Sequence, residues 1–164
     1  MQGYTLIELV ILIALVGLMV FVVVPNISGM LQTPAEDAGV KWLTIQVQVL
    51  KKAAETDGVV YALHADTSEN SFWITAQGMD ERLVAAARDN RYRLPWGARI
   101  HALVFPEGLF SKDVEMMSMI RFYPKGYSDP AMIQLASGDT VRTVEIRPLL
   151  QTVRVHEGAV DYDG

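Results

Sequence analysis

The chain has 164 residues, a formal net charge of -5 at pH 7 and no cysteine, and its length suits one moderate domain together with an anchoring segment. The acidic balance gives no electrostatic reason to expect a nucleic-acid partner. The lack of cysteine excludes a disulfide framework, a thiolate metal site and a cysteine nucleophile.

An apolar run from Tyr4 to Val24 dominates the start of the chain. Its length is close to the roughly 20 residues that span the hydrocarbon core of a bilayer. A cleaved secretory signal fits poorly, because the preceding residues include no Lys or Arg and no small-residue cleavage site follows the run. An ordinary membrane anchor leaves Glu8 unexplained, since a carboxylate within the apolar segment raises the cost of insertion.

The stretch GYTLIEL, residues 3–9, resembles the processing motif of type IV pilins and of the pseudopilins of type II secretion. The resemblance implies that residues 1–3 are a leader, which a prepilin peptidase removes by cutting between Gly3 and Tyr4. It also implies that the enzyme methylates the new amine of Tyr4. Thr5 falls within the motif, and Pro25 matches a proline that many pilins carry just past the membrane segment.

Glu8 has a physical use under this interpretation. A carboxylate is tolerable in an apolar helix bundle only when it is paired, and the resemblance implies that its partner is the N-terminal amine of an adjacent subunit. Glu8 then sets the register of a helical filament, with Thr5 and Pro25 as further assembly residues. The alternative is a carboxylate at the end of an ordinary anchor, whose side chain extends to the membrane interface.

The helical pattern continues beyond Pro25. Thr33, Pro34 and Glu36 predict a fresh helix start, and Gly58 predicts a helix end. An apolar stripe at helical spacing lies between them, at Ala38, Leu43, Val47, Leu50 and Ala54. The predicted organisation is a leader (1–3), a transmembrane and filament-core helix (4–25), its amphipathic continuation (26–57) and a periplasmic β-rich domain (58–164).

Short β-rich runs alternate with turn residues beyond Gly58. The pattern predicts strands at 59–65, 71–76, 91–94, 98–105, 119–123, 132–136, 141–147 and 152–156. A short helix is predicted at 80–88, with Leu83, Val84 and Ala87 on one side. The expected fold class is α+β, a long N-terminal helix, membrane-spanning in its first half, packed on a C-terminal antiparallel β-sheet domain.

The second half of the chain resembles the H-type minor pseudopilins. The resemblance rests on the stretches IRFYPKG at 120–126, MIQL at 132–135, VEIRP at 144–148 and VRV at 153–155. The family's small residue and glycine after that proline are absent here. The residues Leu149, Leu150 and Gln151 occupy this position instead.

No catalytic residue, cofactor site or metal site is predicted. His64, His101 and His156 share no metal-ligand spacing, and the chain contains no nucleophile elbow or phosphate-binding loop. Partly exposed strand positions are the expectation for all three histidines. The tail Asp161–Gly164 is only faintly similar to the start of a calcium loop, because a true loop continues to a glutamate.

Two side-chain clusters admit a functional and a structural interpretation. Met116, Met117 and Met119 form either an adaptable partner surface or core filling, and core filling is favoured. Arginines 82, 88, 91 and 93 lie near Tyr92 and Trp96, a combination that can stack nucleotides. Because acidic residues are interspersed among them, a solvated face or a subunit contact is favoured.

The resemblance implies a non-catalytic structural subunit, a minor pseudopilin that helps to assemble a periplasmic filament near its tip. Its implied partners are other major and minor pseudopilins, the prepilin peptidase, the inner-membrane secretion platform, and membrane lipid before assembly; no nucleic acid is expected. The implied location is the bacterial inner membrane, single-pass, with the C-terminal domain in the periplasm.

Two other functions remain open at this point. A minor type IV pilin, in pilus assembly or DNA uptake, shares the processing motif, but the acidic C-terminus gives little support for phosphate contacts. A membrane-anchored periplasmic enzyme is the alternative from a different class. It predicts that Glu8→Ala leaves function intact, because the anchor would still insert.

Overall fold

A computed structural model describes residues 35–106 and 119–162 of the chain. Its first described helix, α1, covers Ala35–Asp57. The amide of Gly58 donates to the carbonyl of Ala54 at 3.1 Å, and the φ of Gly58 is 69°. This left-handed conformation is inexpensive only for glycine, so the helix ends where the sequence predicts. The predicted helix start at Thr33 and Pro34 lies outside the described residues.

Eight strands follow α1 in the described ranges and form two four-stranded sheets. They are β1 (Tyr61–Asp66), β2 (Ser71–Ala76), β3 (Tyr92–Arg93), β4 (Ala98–Val104), β5 (Met119–Phe122), β6 (Ala131–Ser137), β7 (Thr140–Ile146) and β8 (Arg154–Glu157). The first sheet has the order β3-β2-β1-β5 and the second β4-β6-β7-β8. All neighbouring strands pair antiparallel, and each predicted strand is confirmed to within a few residues.

Helix α1 packs against strands of both sheets and contributes one face to their common core. The predicted stripe supplies this face, because Leu43, Val47, Leu50 and Ala54 are all buried. Gly39 permits close approach of α1 to the sheets, since a Cβ there would lie 2.7 Å from Leu94 Cδ2. The α+β class, with an N-terminal helix on antiparallel sheets, is therefore confirmed. The membrane-spanning first half of the predicted helix lies outside the described residues.

The short helix α2 (Glu81–Asp89) confirms the predicted helix at 80–88. The side chain of Asp80 caps it by accepting a hydrogen bond from the amide of Leu83 at 2.8 Å. No residue of α2 is buried, so its apolar side, which includes Leu83 and Val84, faces solvent. One contact with the first sheet is the guanidinium of Arg88, 5.5 Å from the ring centroid of Trp73.

Neither described helix combines the length and the apolar character needed to cross a bilayer.

Candidate functional site

The residues for which the sequence predicts processing and assembly roles are Gly3, Tyr4, Thr5, Glu8 and Pro25. All five lie outside the described residues. Cleavage after Gly3, methylation of Tyr4 and the pairing of Glu8 stay predictions. The candidate sites below belong to the domain that follows them.

The three histidines lie on three different strands, as partly or fully exposed residues. His64 stacks on Trp73 with ring centroids 5.0 Å apart, and its Nε2 lies 2.8 Å from Thr75 Oγ1. Burial lowers the pKa of His64 below its usual value, which favours the neutral ring. Within residues 35–106 and 119–162, no cluster of three or more histidine or carboxylate side chains could hold a metal ion.

Two of the four arginines in the patch share one glutamate in the folded domain. Arg91 Nη1 lies 2.7 Å from Glu69 Oε2, and Arg93 Nη2 lies 3.9 Å from the same oxygen. Trp96 is 100% exposed and stands in the turn before β4. This arrangement agrees with the solvated face or subunit contact that the sequence favours.

A buried lysine holds the connection between β7 and β8, here called the leucine loop (147–151). Lys51 is only 1% exposed. Its ammonium donates to the carbonyls of Arg147 at 2.8 Å and Pro148 at 3.4 Å, and also to the carbonyl of Leu150. Burial lowers the pKa of Lys51, because the charged form loses its hydration. These contacts link the C-terminal half of α1 to the loop.

The sequence analysis missed Lys51, although a signal was present. Lys51 is four residues after Val47 and three before Ala54, so it lies on the apolar stripe of α1. A lysine on a buried helical face requires partners. Periodicity alone could have indicated that such partners exist, but not that they are the carbonyls of a loop about a hundred residues away.

Beside the leucine loop lies a second buried polar cluster centred on Glu145. Its carboxylate accepts a hydrogen bond from Arg147 Nε and lies 2.8 Å from His156 Nε2. Burial by itself would raise the pKa of Glu145, but the hydrogen bonds from Arg147 and His156 outweigh it and lower the pKa. Burial and the nearby Glu145 carboxylate raise the pKa of Tyr162 to about 12.

The C-terminal segment crosses the second sheet next to this cluster. Thr143 Oγ1 donates to the carbonyl of Gly158 at 2.6 Å and accepts from the amide of Val160 at 3.3 Å. Gln134 Nε2 donates to the carbonyl of Val160 at 3.0 Å. Thr143 and Gln134 are buried, so this segment satisfies polar groups on a sheet face that strand alternation alone would assign to solvent.

The leucine loop borders an open groove with a volume of about 550 Å³. Its lining is mostly apolar and includes Pro130, Ile146, Leu149, Leu150 and Tyr162, with Glu145, Arg147 and Arg154 as the charged members. Leu149 is 82% exposed and Leu150 40% exposed. The arrangement offers no nucleophile with an adjacent base, and it has the character of a contact surface.

The solved structures that match the chain include two of the minor pseudopilin EpsH from the type II secretion system of Vibrio cholerae. One matches with a TM-score of 0.53 at 12% sequence identity, and the match covers 76% of this chain and 95% of that one. The other has a TM-score of 0.49 at 12% identity and covers 73% and 94%. No protein-family model and no curated protein matches the chain.

At this sequence identity the likeness is evidence for the fold alone. That evidence comes from the match with the higher TM-score. The suspected resemblance is confirmed at that level. The chain has a pseudopilin-like fold, with an N-terminal helix packed on antiparallel sheets.

Proposed function

We propose that the chain is a minor pseudopilin of a type II secretion system, most similar to the H type. It is a structural subunit that helps to assemble the periplasmic filament, near its tip, and it performs no catalysis. The single observation that carries the proposal is the agreement between the N-terminal motif and the fold of the domain that follows it. The GYTLIEL motif at 3–9 and the pseudopilin-like fold of the following domain both support this proposal, and they lie in separate parts of the chain.

The proposed mechanism begins at the inner membrane, where the chain sits single-pass with its β-rich domain in the periplasm. A prepilin peptidase removes residues 1–3 and methylates Tyr4. The positive amine of one subunit then pairs with Glu8 of a neighbour, which offsets the cost of a carboxylate in an apolar bundle. The helix thereby leaves lipid for contacts with other pseudopilins, and a cytoplasmic ATPase supplies the assembly force.

The test compares Glu8→Ala with the conservative Glu8→Asp in cells that carry the secretion machinery. We expect Glu8→Ala to insert in the membrane and to lose secretion and subunit crosslinking, because the neighbour's amine has no partner. Glu8→Asp keeps the charge and should retain part of both activities. Secretion of a reporter substrate and crosslinking between subunits are the measurements.

Mass spectrometry of the mature terminus provides the second readout. A chain that begins with N-methylated Tyr4 supports the proposal. A chain that retains residues 1–3 in a host with an active prepilin peptidase would contradict it. Full secretion by Glu8→Ala would instead favour a membrane-anchored enzyme, and salt-dependent DNA binding would favour a DNA-uptake pilin.

A further inference from the structure

The leucine loop places two aliphatic side chains, those of Leu149 and Leu150, in solvent. Leu149 is 82% exposed and Leu150 40% exposed, side by side on the same loop. Scattered exposed leucines are common on protein surfaces. This pair is different because it borders the apolar groove of about 550 Å³ that Pro130, Ile146 and Tyr162 also line.

Hydrogen bonds from the buried Lys51 fix the backbone of the leucine loop. Lys51 donates to the carbonyls of Arg147, Pro148 and Leu150 from within the core, and Pro148 restricts the backbone further. A loop ordered before binding loses less conformational entropy when a partner docks. The buried lysine therefore presents Leu149 and Leu150 in a fixed position.

The charged side chains that line the groove carry a net positive charge, and the exposed Arg154 supplies it. The partly exposed Arg147 is paired with the buried Glu145 carboxylate, which also lies 2.8 Å from His156 Nε2. The chain as a whole carries a net charge of -5, so the positive charge of Arg154 is a local feature. Charge complementarity favours a partner with carboxylates beside an apolar side chain.

We propose that the leucine loop and its groove dock one co-assembling subunit, which inserts an aliphatic side chain flanked by Asp or Glu. The inference rests on the proposed function, because the partner is another pseudopilin of the same filament. A lipid surface with anionic headgroups has related chemistry. A concave groove with a buried polar floor and only two protruding leucines fits a side chain better than a bilayer.

The test places a photo-crosslinking amino acid at Leu150 of the full chain in secreting cells. A matched control places it at Leu83 on α2, which is 55% exposed but lies outside the groove. We expect the Leu150 position to form an adduct with another pseudopilin, and sequencing of the crosslinked peptide should find an aliphatic residue next to a carboxylate. An adduct with lipid, or equal adducts from both positions, would overturn the proposal.

Two variants then probe the chemistry of the groove. Leu149→Asp and Arg154→Glu should each lower the adduct yield about tenfold, as expected when an interface loses on the order of 1.4 kcal/mol. Leu149→Met and Arg154→Lys should retain most of it. Because both side chains are exposed, the thermal unfolding temperature should stay unchanged, which separates a docking defect from misfolding.

The outcome is distinguishable from failure of the proposed function. If Glu8→Ala abolishes secretion while Leu149→Asp and Arg154→Glu keep the wild-type adduct, the docking proposal is wrong and the pseudopilin assignment stands. If Glu8→Ala secretes normally, the pseudopilin assignment itself is wrong. Loss of the adduct in both groove variants, with the processed chain still in the membrane, supports the docking surface.

Discussion

Lys51 and Lys52 are neighbours in sequence but have opposite environments. Lys51 lies in the core and donates to loop carbonyls, whereas Lys52 is exposed and lies 3.4 Å from Glu55 Oε2. A buried ammonium is tolerable only because its hydrogen bonds replace the lost water. An exposed ion pair between residues one helical turn apart contributes little to the free energy of unfolding, since solvent screens it.

Replacing Lys51 by alanine should therefore be much more costly than replacing Lys52. We expect Lys51→Ala to lower the free energy of unfolding by about 2–4 kcal/mol, because it leaves a cavity and unpaired buried carbonyls. Lys52→Ala should lower it by about 0.5 kcal/mol or less. Urea unfolding of the two variants measures the difference, and similar losses would show that the loop does not depend on Lys51.

Glu145 makes the stability of the folded domain depend on pH in the acidic range. The pKa of its carboxyl is lower in the folded chain than its usual value of 4.5, so the unfolded chain takes up a proton more readily. The stability that Glu145 contributes is present above that value and is lost as pH falls through the folded pKa. Glu145→Gln removes this titration while keeping the side-chain volume.

The difference in unfolding free energy between the wild type and Glu145→Gln should thus narrow as pH falls from about 6 to about 3. Other carboxylates titrate in both proteins and cancel in this comparison. Thermal unfolding across the pH range provides the measurement. A difference that stays constant would mean that folding does not lower the pKa of Glu145.

At the scale of elements, α1 has one face in the core and one face in solvent. The helical spacing of apolar residues in the sequence predicts which residues lie on each face. Leu43 is fully buried against the sheets, while Ile45, two residues later, is about half exposed. The strands are equally readable from the chain, because apolar alternation and turns such as those at Gly126 and Gly138 are local signals. The exposure of the apolar side of α2 could not be predicted from the sequence, because the spacing of Leu83 and Val84 does not show whether another element covers them.

The two faces of α1 should respond differently to truncation. Leu43→Ala should cost about 2–5 kcal/mol, because it removes buried methyl groups and leaves a cavity between α1 and the sheets. Ile45→Ala should cost about 1 kcal/mol or less, since its side chain keeps much of its contact with water. Chemical denaturation of both variants measures this; a larger loss from Ile45→Ala would contradict the packing of α1.

At the scale of the whole molecule, a core within residues 35–106 and 119–162 joins elements that are distant in the chain. Its buried members include Leu43 of α1, Leu63 and Ile120 of the first sheet, and Ile133 and Val144 of the second. Neither sheet encloses this core without the other or without α1. A shared core makes separate unfolding of one sheet costly.

The two sheets should accordingly unfold together. In hydrogen exchange of the full chain, the most protected amides of β1 and β6 should open with the same free energy and the same dependence on denaturant. Mass spectrometry of peptides from the two strands makes the comparison. Earlier opening of one sheet would show that α1 couples them weakly.

The sequence by itself determined the classes of element, the end of α1 at Gly58 and the resemblance to pseudopilins, because periodicity, turn chemistry and short motifs are local properties of a chain. Only the tertiary structure decided which polar groups are buried together. Lys51 forms hydrogen bonds with the leucine loop, Glu145 with His156, and Thr143 with the C-terminal segment. These contacts join residues that the sequence keeps apart, and their free energy depends on water excluded by packing, a quantity that no local pattern encodes.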